Sequence, residues 1–198
     1  MRFTIAIMLI ICGCKPSADV VGRKNITMEN INLKYHQKNA VNNESIQIKD
    51  SIIIKTVMFE EDSSYIQYTS AKNSTLSDVK SYYKSTKLRT AGRKFFDFYI
   101  GTGQVYDEDG KMVSEINFEN GYLFSVNQLV EKMRKDFNLD ILDMYKPIKV
   151  IRGTFNDSPV YFISTVPDPS DRFRVRMIIV DGITGKTISD KFPIHNHI

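Results

Sequence analysis

The chain has 198 residues, enough for one domain or two small ones, and carries a net charge of +4. That surplus is too mild to imply a nucleic-acid surface. Its two cysteines both fall within the first fourteen residues and its histidines number three, so little is left for thiol or imidazole chemistry further along.

Met1 and Arg2 supply one positive charge, Phe3 to Ile11 is a short apolar run, and Ile11-Cys12-Gly13-Cys14 follows. This is the charged, apolar, small-residue order of an export signal. The run is too short to span a bilayer, which takes about 20 apolar residues. An aliphatic residue, a variable one, Gly and then Cys resembles the lipobox of bacterial lipoproteins, and the resemblance makes Cys14 the lipid-bearing N-terminal residue of the processed chain. The other reading of the run is a buried hydrophobic N-terminal strand. Cleavage before Cys14 removes one arginine and no acid, so the charge becomes +3, and no free thiol or disulfide remains. Two or more acyl chains anchor durably where one alone is marginal. The expected place is a bacterial cell envelope, lipid-anchored, with Lys15 compatible with transfer to an outer membrane.

Lys15 to about Asn43 is rich in Asn and Lys with scattered Val20, Val21, Ile26 and Ile31, and reads as a flexible tether. The chain thus divides into a signal peptide 1–13, a tether 14–43, a β-rich region 44–121 and a second unit 122–198. Ile46 to Phe59 and the alternating Tyr65-Ile-Gln-Tyr68 predict two strands joined by the acidic turn Glu60 to Ser64. Ser74 to Asp78 offers hydroxyl caps and an early acid, predicting a short helix to about Lys84 with Leu76, Val79 and Tyr83 on one face. Lys84, Lys87, Arg89, Arg93 and Lys94 then read as a solvated loop, with contact to anionic head groups or an acidic partner as the alternative. Phe95 to Tyr99 marks a strand leading into Gly101.

Gln104–Tyr106 and Met112–Phe118 predict strands around the turn Asp107-Glu-Asp-Gly110, and Asn120-Gly121 supplies two residues that tolerate positive φ. Tyr106, Asp107, Gly110, Lys111, Phe118, Asn120 and Gly121 resemble one MORN-variant repeat of the antitoxin-like kind. A single copy cannot bury its own face, so the resemblance supports a hairpin and not a repeat array. It carries an association with toxin neutralisation. Ser125 with Gln128 forms a capping box and Phe124 with Leu129 a hydrophobic staple. Leu129, Val130, Met133 and Phe137 form one apolar stripe, and Asn138 is a left-handed stop.

Beyond Pro147 three apolar runs, Lys149–Phe155, Val160–Val166 and Phe173–Val180, are separated by turns at Asn156-Asp-Ser-Pro159 and Pro167–Asp171. Asp181-Gly-Ile-Thr-Gly185 closes the last before Lys186–Ile188. Val160, Tyr161, Ile178, Val180, Asp181, Gly182, Thr184, Gly185 and Lys186, following the helix, resemble a PepSY-type domain. Such domains are associated with inhibiting or chaperoning peptidases, and the Asp-Gly-x-Thr-Gly-Lys turn serves hairpin geometry alone.

Chemistry is sparse. With Cys14 lipidated, Cys/His nucleophilic catalysis is excluded, and a zinc site would need carboxylates beside His36, His195 or His197. Gly101-Thr-Gly103 lacks the third Gly and the helix of a phosphate loop. Asp107-Glu-Asp-Gly110 lacks the bidentate Glu of a calcium loop, since the twelfth residue is Phe118. Neither a metal nor a cofactor is expected. Arg172, Arg174 and Arg176 alternate with Phe173, Val175 and Met177, so a strand would put three guanidinium groups on one face and the apolar residues on the core. That face is either solvated and paired with nearby acids or an anion- or acidic-protein-binding stripe.

These readings converge on an α+β fold: antiparallel N-terminal strands, a central hairpin, and a C-terminal helix packed on a three- or four-stranded antiparallel sheet. The expected function is not enzymatic. It is a membrane-anchored lipoprotein that binds and neutralises a partner protein, a toxin or a peptidase, with a ligand-binding or structural envelope lipoprotein as the alternative and no nucleic acid as partner.

Overall fold

The computed structural model of the protein describes residues 29–166 and 175–192. In chain order these form α1 (Lys34–Asn39), β1 (Glu44–Lys49), β2 (Ile52–Phe59), β3 (Ser64–Ala71), β4 (Leu76–Tyr82), β5 (Leu88–Phe95), β6 (Phe98–Tyr106), β7 (Met112–Asn117), α2 (Val126–Phe137), β8 (Ile148–Phe155), β9 (Ser158–Thr165), β10 (Arg176–Asp181) and β11 (Thr187–Lys191). Strands β1 to β7 build one antiparallel sheet in sequence order, and β11-β10-β9-β8 build a second. Of the described residues 54% are strand and 12% helix, so the α+β class expected from the sequence does not hold.

Two segments account for most of that difference. The stretch expected as a helix from Ser74 is β4, whose Leu76 and Tyr82 lie on one face of the sheet and Val79 on the other. Apolar residues three apart mark one face of a helix, but on a strand the same spacing places them alternately on its two faces. The basic run expected as a loop is part connection and part strand: Lys84 and Lys87 lie between β4 and β5, while Arg89, Arg93 and Lys94 belong to β5. Its cations lie along the sheet: Arg93 donates to Asp78 at 2.8 Å, and the Lys94 ammonium sits 4.9 Å from the Tyr99 ring. The single strand expected over Ile46–Phe59 is folded back on itself at Asp50-Ser51, with Asp50 left-handed at φ 53°.

Local signals placed other elements where they stand. Ser125 caps α2 by accepting from the Gln128 backbone while Gln128 Oε1 accepts from the Ser125 N–H at 2.8 Å, and Asn138 ends the helix at φ 53°. The β6–β7 turn is held by Asp107 Oδ1, which accepts from the backbone of Asp109 and Lys111 at 3.0 and 2.8 Å. The Asn156–Pro159 turn is tighter than expected. Asn156 and Asp157 alone form it, both at positive φ, and Pro159 belongs to β9.

The core lies between the two sheets. Leu129, Met133, Val130 and Val126 of α2 pack with Phe95 of β5 and with Val150, Tyr161, Ile163, Ile178 and Val180 of the second sheet. The connector from β7 to α2 is riveted to that sheet by Arg152 of β8. Its guanidinium donates to Phe118 O at 2.7 Å and to Tyr161 Oη at 3.2 Å, is ion-paired with Glu119, and lies 4.2 Å from the Tyr122 ring. The expected tether does not extend to Asn43. From Glu29 onward the described chain lies on the sheet, with Ile31 and His36 buried, because Glu29 and Ile31 exchange backbone bonds with Leu88 and Thr86.

Candidate partner-binding face

Strand register fixes what each face of the seven-stranded sheet presents, because residues directly opposite in antiparallel strands share a face. One row runs Ser45, Thr56, Gln67, Lys80, Ala91, Gln104, Glu115. This face is covered at one end by the 29–39 segment, through His36 over Ser45 at 2.9 Å, and at the other by α2 and the second sheet against Leu76, Phe95, Phe98 and Ile100. The opposite face carries the row Ile46, Lys55, Tyr68, Val79, Gly92. Among the described residues no helix or sheet covers it, and Ile46 and Ile48 are 52% and 61% exposed.

Toward β7 this open face dips into a hollow of about 220 Å³. Its floor is Gly92 and Gly103, whose missing side chains leave room for the rings of Tyr99 and Phe118. A Cβ at Gly103 would lie 2.6 Å from the Phe118 ring. The two rings stack at 4.9 Å, and burial raises the Tyr99 phenol above its ordinary value, so it stays neutral. Ile116 and Val105 complete an apolar rim.

Strand β7 borders this hollow and is the edge of the sheet. Every one of its residues is exposed, with Met112, Val113 and Ile116 at 44%, 55% and 47%. Phe118 N–H bonds Gly101 O, so by strand alternation the amides of Glu115 and Asn117 point away from β6. Among the described residues no strand receives them. The opposite edge is protected: Val41 and Glu44 exchange backbone bonds, and Tyr35 Oη donates to Ile46 O at 3.0 Å.

No family model matches the chain, and neither does any curated protein or solved structure.

Of the residues expected to carry function, Cys14, Arg172 and Arg174 lie outside the described residues. Arg176 is not a free cation. Its Nε and Nη2 each donate to the Asp190 carboxylate across β10–β11 at 2.8 Å, and the guanidinium lies 5.3 Å from the Phe137 ring. That bond lowers the Asp190 carboxyl below its ordinary range. The face is also the reverse of the one expected. Ile178 and Val180, which share parity with Arg176, are the fully buried residues of β10, so Arg176 edges the core side while Met177 lies opposite. Among the described residues no group of three or more His, Cys, Asp or Glu is placed to hold a metal, and no helix is long and apolar enough to cross a membrane.

The open face is not legible in the sequence because its members come from seven strands. The one local signal was alternation in β1, where Ile46 and Ile48 interleave with Ser45 and Gln47. The unprotected edge of β7 depends on which strand comes next in space, and no local pattern states that.

Proposed function

We propose that the protein is a non-catalytic, membrane-anchored lipoprotein that captures an extended segment of a partner protein by adding it as a strand to β7, as an immunity protein or peptidase inhibitor would. The observation that carries this reading is the outer edge of β7, unpaired among the described residues, with exposed apolar side chains beside an apolar hollow. Outward amides and carbonyls are matched in full only by another extended backbone, which supplies affinity, while alternate side chains entering the hollow supply selectivity. Natural sheets blunt such edges with charge or bulges; β7 has Glu115 as its one charged residue, and its register shift is confined to its start, at Val113, which leaves Ser114–Asn117 regular. The lipobox-like Cys14 supplies the anchor at an outer membrane. A toxin or peptidase suits the site because a chain held in an extended conformation both pairs with β7 and withdraws that segment, or the cleft beside it, from its own substrate.

The test is a photo-crosslinker at Val113 in the full-length protein. A partner segment trapped there is synthesised as a peptide, and hydrogen exchange is followed. Protection of the Glu115 and Asn117 amides in the wild type, lost at both with Ile116→Lys and at Asn117 with Glu115→Pro in folded variants, supports strand addition. A bound partner that leaves both amides unprotected refutes it. Palmitate-analogue labelling of wild type against Cys14→Ser tests the anchor, and equal labelling rejects it.

A further inference from the structure

On the covered face, between the 29–36 segment and β1–β4, lies a second pocket of about 320 Å³, at the small end of the range that holds small molecules. Its floor is polar. Ser45 and Thr56 are buried there, Gln67 reaches Thr56 only at 3.4 Å, and Gln47 has no side-chain hydrogen bond among the described residues. Ile54 adds a small apolar surface. The rim carries Lys34 and Lys49, neither of which has an acidic partner among the described residues. The acid of the pocket, Glu29, is already engaged: both its oxygens accept from Lys80 Nζ at 2.7 Å, and one accepts from Tyr82 Oη at 3.0 Å.

We propose that this pocket binds a small acidic sugar, with Lys34 and Lys49 on its carboxylate, Gln47 and Gln67 on its hydroxyls, and Ile54 against the C–H face of its ring. Each part of the lining excludes an alternative. Unpaired lysines over a neutral hydrogen-bonding floor favour one negative charge on a hydroxyl-rich body. Glu29 is neutralised by Lys80, so nothing free receives an ammonium, which disfavours amino acids and other zwitterions. The site stands apart from strand addition at β7, which uses the opposite face and the far edge of the sheet.

The experiment is ligand-observed NMR on the full-length protein in detergent with glucuronate, glucose and alanine. Glucuronate is expected to bind in the millimolar range and glucose about tenfold more weakly, the difference of one charge-assisted contact. Lys34→Met/Lys49→Met, both exposed positions, brings glucuronate down to the level of glucose. Gln47→Leu weakens both sugars together. The proposal is overturned by no glucuronate binding at about 10 mM, by equal binding of glucose, by alanine binding more tightly, or by glucuronate binding that the lysine pair does not change.

Discussion

Replacing Arg152 with Met retains the apolar stem and deletes the charge that joins the two sheets. The side chain is 11% exposed and its partner Glu119 26%, so this pair is largely out of water. Four bonds go with the guanidinium: to Phe118 O at 2.7 Å, Tyr99 O at 3.4 Å, Tyr161 Oη at 3.2 Å, and the ion pair with Glu119. Glu119 keeps only the Gly101 N–H at 2.7 Å, and Phe118 O loses its donor. Removing one partner of a buried pair costs about 3–5 kcal/mol, and the bonds do not add because one group makes them all. Arg152 Nε is buried with no partner, an existing cost that the substitution relieves in part. We therefore expect a loss near the lower end, about 3 kcal/mol, which is a large share of the usual 5–15 kcal/mol. The assay is urea unfolding, where the midpoint falls by about 1–2 M. Arg152→Met/Glu119→Met should lose less than the sum of the single variants, since no carboxylate is left unpaired. A loss below about 1 kcal/mol, or strict additivity in the cycle, refutes the view of Arg152 as the joint between the sheets.

Leu129, fully buried at the centre of the core, should cost about 2–5 kcal/mol as Leu129→Ala, read in the same unfolding assay. Gly185→Ala places a Cβ 2.3 Å from the Phe124 ring at a φ of +72°, so we expect about 1–3 kcal/mol of destabilisation by thermal unfolding. Asp181 Oδ1 accepts from the Thr184 N–H at 2.6 Å, from its hydroxyl at 2.8 Å and from the Ile183 N–H at 3.0 Å, and these bonds hold its carboxyl below the ordinary 3.8. A depressed pKa contributes stability above the unfolded value that is lost as pH falls through the folded one. Asp181→Ala should therefore be less stable than wild type at pH 7, with the gap closing below pH 3.8 in melts taken across that range.

The sequence by itself determined what neighbours a few residues apart decide. Ser125, Gln128 and Asn138 start and stop α2; Asp107 with Gly110, and Asp181 with Gly185, make their turns through bonds two to four residues long. Such signals need no partner from elsewhere in the chain. Tertiary structure decided the rest, because burial and pairing are long-range. Leu76, Val79 and Tyr83 read as one face of a helix until hydrogen-bonded strands on either side make the segment β4. Arg176 turned toward Phe137 because Ile178 and Val180 fill the core against α2, reversing a face that alternation alone leaves undetermined. The open face, the bare edge of β7 and the pocket under the 29–36 segment arise only when seven strands align and the chain before β1 folds over one end of their sheet. The free energy that fixes those choices comes from contacts between residues far apart in sequence, so no short window of the chain contains them.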